Sequence, residues 1–173
     1  MKTPELDKVE QLLQIIQNKP GQRIVHFSDA SPVLTKSLSD LCKQHDSDYH
    51  LYCTKDAFYD KCLAEYEGEE HIRITKFNLR RPRYLMQGIE FDYLIVTLDF
   101  EEEDKAVFLG KCYPIIRTGG NIMIIIPNSS YGERDEWRDI LIEQYYVSTN
   151  IMDDLFEEYD VIVSKRMHGW GDA

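Results

Sequence analysis

Apolar positions along this chain switch repeatedly between a helical spacing of about 3.6 residues and short continuous runs of the kind found in buried strands. Leu6, Val9, Leu12, Leu13, Ile15 and Ile16 follow the helical spacing and predict an amphipathic first helix, with Pro4 in its opening turn. The cluster Asn18, Lys19, Pro20, Gly21 ends it and leads into residues 23–27, a short apolar run that predicts a first strand. Residues 28–32 form a tight turn into a second helix, with Ser31 as N-cap, Pro32 as first residue, and Val33, Leu34, Leu38, Leu41 and Cys42 on one face. Residues 49–53 predict a second strand, 57–66 a helix, and Ile72, Ile74 and Phe77 a third strand. The run 93–98 predicts a fourth strand, 106–116 a helix, and 121–126 a fifth strand entered through Thr118, Gly119 and Gly120.

After Pro127, Ser130 and Glu133 are spaced as a capping box for a helix through Trp137, Ile140, Leu141 and Tyr145. Two last strands, 146–152 and 159–164, are separated only by the acidic residues 153–158. A parallel crossover needs a dozen or more residues, so these two strands pair as an antiparallel hairpin. The order implies one α/β domain spanning residues 1–173, with a mostly parallel sheet.

Composition narrows the partners. Thirty-one acidic residues against 20 basic ones give a formal charge of −11, a field that repels phosphate backbones and acidic lipids and argues against nucleic acid. The sequence holds neither an apolar leader nor a membrane-spanning run, and its four cysteines lack zinc-site spacing; the expectation is a cytoplasmic chain with reduced thiols. No metal is expected, because no histidine pair with a third ligand stands at ligating spacing. Nucleophile elbows and phosphate-binding loops are also missing, which removes the common hydrolase and nucleotide-triphosphatase patterns.

The element order resembles the Rossmann-like class I methyltransferases that bind S-adenosylmethionine. The resemblance rests on Phe91 to Val96 as the fourth strand and on Ile116, Arg117, Thr118, Gly119, Gly120 and Asn121, which resemble the family's Pro-Gly-Gly turn with Thr118 in place of proline. It implies a three-layer sandwich of five βα units, a helix and a hairpin, with seven strands in the order 3-2-1-4-5-7-6 and the last one antiparallel. It also implies S-adenosylmethionine as cofactor over the carboxyl ends of the first strands. Laid on the family's acidic, apolar, Gly-x-Gly-x-Gly pattern, His26 takes the place of the acid, and Ser28, Ala30 and Pro32 take the places of the glycines.

The cofactor-binding candidates carried over are thus His26, Ser28, Asp29, Ala30 and, for the ribose hydroxyls, Asp56. Asp99, which leads the acidic stretch after the fourth strand, is the candidate for contact with a small-molecule or protein acceptor. A bland alternative stands beside it: acidic residues favour a helix N-terminus for electrostatic reasons alone. The departures from the glycine pattern leave a second class of function open, a methyltransferase-like scaffold without catalysis that binds or regulates a partner. Arg80, Arg81 and Arg83 surround Pro82 after the third strand, a cluster suited to a phosphate, a carboxylate or an acidic partner face, and equally to pairing with the chain's own acids. Lys165, Arg166, His168, Gly169, Trp170 and Gly171 form a recognition-like segment at the far edge of the sheet, suited to packing, a partner or self-association.

Overall fold

The computed structural model describes residues 6–16, 19–85, 87–127, 131–153 and 159–167. Helix α1 (Leu6–Leu13) leads into β1 (Arg23–Ser28), α2 (Pro32–Gln44), β2 (Asp48–Cys53), α3 (Asp56–Glu65) and β3 (Ile72–Lys76). The second half runs β4 (Phe91–Val96), α4 (Glu102–Cys112), a single 3-10 turn (Tyr113–Ile115), β5 (Ile116–Pro127), α5 (Tyr131–Glu143), β6 (Val147–Met152) and β7 (Tyr159–Lys165). All seven strands form one sheet in the order β3-β2-β1-β4-β5-β7-β6. The first five are parallel to one another, and β7 runs antiparallel to both β5 and β6.

Strand alternation divides the core. Along β1, Val25 and Phe27 join the cluster that includes Phe108, Leu109, Trp137 and Leu141 of α4 and α5. Ile24 faces the other way, into the cluster holding Leu12, Leu34, Leu38 and Phe58 of α1, α2 and α3. With helices on both faces, the central strands carry apolar side chains at nearly every position, which explains why their sequences read as continuous runs.

The expected pattern of five βα units is corrected at β3, which no helix follows among the described residues. Asn78 accepts the Arg80 N–H at 3.0 Å in a local turn, and Pro82 disfavours helical backbone at Arg81, so the sequence itself opposes a crossover helix. Aromatic rings close the sheet face instead. Phe27 meets Tyr52, Phe77 and Phe108 edge-on at centroid separations of 5.2, 5.1 and 5.3 Å, and Tyr84 packs against Phe77 at 4.9 Å. The Tyr84 hydroxyl donates to the Leu79 carbonyl at 2.6 Å, which ties the segment down.

Two other bounds move for local reasons. The helix expected over 106–116 begins at Glu102, whose acidic first turn suits the helix dipole, and gives way near Pro114 to the 3-10 turn. Strand β5 begins at Ile116 rather than 121, because Ile116 pairs with Phe91 before residues 117–120 leave the ladder. All four cysteines are free and buried, and burial pushes the Cys42 thiol up to about 12, as expected of inert core thiols. Among the described residues no helix is long and apolar enough to cross a membrane.

Because Phe27 stands where four other rings converge, Phe27→Ala is expected to destabilise the chain by about 3–5 kcal/mol in urea unfolding. A loss below about 1 kcal/mol would show that the ring cluster does not hold the helix-free crossover.

Candidate functional site

The carboxyl ends of β1, β2 and β4 meet where the sheet changes direction of build, with β2 on one side of β1 and β4 on the other. Beneath the mouth of β1 lies His26, fully buried between Val25 and Phe27. Its Nδ1 is 2.8 Å from the Tyr49 hydroxyl and its Nε2 is 2.8 Å from Thr97 Oγ1. Ser28 donates to Ser31 Oγ at 3.0 Å, Ser31 donates to Thr97 Oγ1 at 2.9 Å, and Thr97 donates to the Phe27 carbonyl at 3.3 Å.

One proton assignment satisfies every member. Since the Thr97 hydrogen goes to Phe27, His26 must donate from Nε2 to Thr97 and accept at Nδ1 from Tyr49, which makes it the neutral Nε2–H tautomer. Burial drives the same way: it lowers the His26 pKa to about 3 and raises that of Tyr49 well above 10. Five side chains from β1, β2, the turn before α2 and the residue after β4 are therefore locked together without a formal charge.

The sequence-derived candidates separate into layers. His26 lies below the loop with both ring nitrogens occupied, so it supports the mouth from inside rather than lining its surface. Ser28 and Ser31 are buried and turn their hydroxyls toward Thr97; Ser31 occupies the N-cap position of α2 yet makes no side-chain cap. Ala30 and Pro32 are exposed, and Asp29 is half-buried with its Oδ1 covered and without a hydrogen-bond partner. Asp56 opens α3 and is paired with Lys76 Nζ at 2.6 Å on the surface.

Asp99, two residues after Thr97, lies on the wall of a cleft of about 530 Å³ between the β3–β4 segment and α4. Arg80, Tyr84, Phe100, Asp104 and Lys111 share the cleft with it. Lys111 Nζ lies 5.5 Å over the Tyr84 ring and 3.4 Å from the Leu79 carbonyl, which fixes one wall. Arg81 instead covers the Phe77 ring at 5.5 Å. Ser130, the capping-box residue expected before α5, and the recognition candidates at 168–171 lie outside the described residues. Lys165 and Arg166, at the end of β7, are at the opposite edge, where Arg166 Nη1 donates to the carbonyls of Tyr113 and Ile116 at 3.2 and 2.7 Å.

Sequence reasoning missed Tyr49, Thr97 and Tyr84. Polar residues inside or just after strand runs were the available signal, since a buried polar group demands partners.

The proton ladder carries a pH signature. Unfolding returns His26 to its ordinary pKa of 6.5, so between pH 6.5 and about 3 the unfolded chain binds the extra proton and stability falls as pH falls. From pH 6.5 to pH 5 the native chain should lose about 1.5 kcal/mol more than His26→Gln, measured by urea unfolding at each pH. Equal losses would mean that His26 is not held neutral.

No family model matches the chain, and no curated protein matches it. Solved structures do. An S-adenosylmethionine-dependent O-methyltransferase from Thermotoga maritima superposes with a TM-score of 0.71 at 13% identity, over 93% of this chain and 65% of that enzyme. A TehB-like S-adenosylmethionine-dependent methyltransferase from Corynebacterium glutamicum gives 0.71 at 12% identity, over 92% and 87%. Aeropyrum pernix fibrillarin, in complex with natively bound S-adenosyl-L-methionine, gives 0.71 at 17% identity, over 90% and 72%. The chain has the fold of the Rossmann-like S-adenosylmethionine-dependent methyltransferases.

Proposed function

We propose that this chain is a divergent S-adenosylmethionine-dependent methyltransferase. The observation that carries the reading is the covered, unpartnered Oδ1 of Asp29 at the carboxyl end of β1. A carboxylate oxygen left without a donor is costly, and the ammonium or hydroxyl of an amino-acid or nucleoside ligand would satisfy it. Asp29 as a whole is only half-buried, so a turn of its side chain presents that oxygen at the opening. The residues at the mouth fit the cofactor in this respect, and exposed Ala30 leaves the adjacent surface low.

Bound S-adenosylmethionine supplies an electrophilic methyl group. The chain's own residues bind and orient: Asp29 holds the ligand's donor, Ala30 lines its bed, and the ladder under Ser28 and Ser31 keeps the loop from moving. Asp56 reaches a ribose hydroxyl only by giving up part of its pairing with Lys76, which makes it the weaker contact. An acceptor occupies the cleft beside Asp99, where carboxylates orient a polar group against the rings of Tyr84 and Phe100.

A second reading has its own observation. No glycine stands between residues 28 and 32, and the Ser28 and Ser31 hydroxyls are committed to the core, which suits a scaffold that binds a partner without methyl transfer. Titration with S-adenosylmethionine and S-adenosylhomocysteine separates the two. The methyltransferase reading expects a saturable rise in thermal midpoint. It expects Asp29→Ala to weaken binding about tenfold or more, through the lost charge-assisted hydrogen bond. Ala30→Trp should abolish binding while leaving the fold intact. An unchanged midpoint at millimolar ligand favours the scaffold, and native affinity in Ala30→Trp removes this loop from the site.

A further inference from the structure

At the opposite edge of the sheet, where the parallel strands begin, lies a cleft of about 360 Å³ walled by Lys19, Gly21, Asp92, Arg117, Gly120 and Lys165. The length of β1 separates it from the mouth considered above, roughly 17 Å at the rise of an extended strand. Its walls are built by a break in the sheet. Phe91 pairs with Ile116 and Tyr93 with Asn121, so residues 117–120 bulge from the ladder and open the space between β4 and the end of β7.

The bulge is held firmly. Gly119 turns at φ +85°, its N–H donates to the Arg166 carbonyl at 2.6 Å, and the Arg166 N–H returns to Gly120 O at 3.1 Å. A Cβ on Gly120 would stand 2.8 Å from the Arg117 carbonyl oxygen and 3.0 Å from that of Asp92, so the backbone is packed as closely there as glycine allows. On the facing wall, Gly21 at φ +73° donates to the Asp46 carbonyl at 3.1 Å. The hollow is shaped by the fold alone.

Its charge runs against that of the molecule. In a chain of net charge −11, Asp92 is the one acidic residue among the described residues of this lining, and both its oxygens are occupied. Oδ2 accepts the Arg23 N–H at 2.9 Å and Oδ1 accepts Arg117 Nη1 at 3.1 Å. Asp92 thus balances Arg117 and holds that guanidinium against the cleft. Lys19 and Lys165 remain, each without an ion-pair partner among the described residues, and together they leave two positive charges facing one polar space.

We propose that this cleft binds a phosphorylated small molecule. A phosphoryl group near pH 7 carries almost two negative charges and matches both ammonium groups at once, whereas one carboxylate would leave one of them unbalanced. Arg117, oriented by Asp92, supplies further N–H donors of the geometry that phosphate oxygens accept. The net charge of −11 repels an extended polyanion, so a compact ligand fits where a nucleic acid does not.

Inorganic pyrophosphate is the probe. Calorimetric titration of the full chain at low ionic strength should show saturable binding that sodium chloride of equal ionic strength does not reproduce. The double variant K19A/K165A should bind at least about tenfold more weakly, and K19R/K165R should stay within about threefold of native affinity. Ala30→Trp, which closes the mouth at the other edge, should keep the native affinity, so the outcome is independent of the methyltransferase reading. Absence of saturable heat, equal affinity in K19A/K165A, or loss of binding in Ala30→Trp would overturn the assignment.

Discussion

A continuous hydrogen-bonded chain, Tyr49 to His26 to Thr97 to Ser31 to Ser28, fastens the centre of this sheet to the turn that opens α2. Its members are buried, and each buried polar group would cost about 1–3 kcal/mol if left unpaired, so the arrangement holds only when all partners are in place. That requirement fixes β1 against β2 and against the segment that follows β4. It also decides which groups at the mouth are available to a ligand. Ser28 and Ser31 face inward and are used, which leaves Asp29 and Ala30 to form the surface.

The second constraint lies on the other face of the same strand. With no helix between β3 and β4 among the described residues, the rings of Phe27, Tyr52, Phe77, Tyr84 and Phe108 cover the sheet, Phe27 meeting its neighbours edge-on and Tyr52 stacking on Phe77. A segment held by rings is thinner than a helix, and the space beside it becomes the cleft lined by Tyr84, Phe100 and Asp99. The arginines in this segment follow from the same geometry: Arg81 lies over Phe77, while Arg80 reaches the cleft. One sequence feature, the proline flanked by arginines, therefore shapes both the crossover and the pocket.

Much of the fold was legible because burial on both faces leaves an almost continuous apolar signature, as in Tyr93–Val96 within β4 and, interrupted by His26 alone, Ile24–Phe27 within β1. The terminal hairpin was legible from chain length alone, since the link between β6 and β7 is too short for a crossover. The missing helix after β3 was harder to see, because aromatic packing is a tertiary effect without a period in sequence. At the site, Ser28, Asp29 and Ala30 were placed at the mouth of β1 by the resemblance, but the direction of each side chain was not. Only coordinates reveal that Thr97, 69 positions away from Ser28 along the sequence, draws Ser31 inward and Ser28 after it.

The central claim is that the polar ladder holds a loop whose one unsatisfied group, Asp29 Oδ1, awaits a ligand donor. A crystal structure of the chain grown with S-adenosylhomocysteine tests it most directly. The account predicts the ligand against residues 28–31, its amine or a ribose hydroxyl about 3 Å from Asp29 Oδ1, and the contacts among His26, Thr97 and Ser31 unchanged. A ligand bound elsewhere, or an empty mouth with Asp29 Oδ1 still covered by protein, would contradict it.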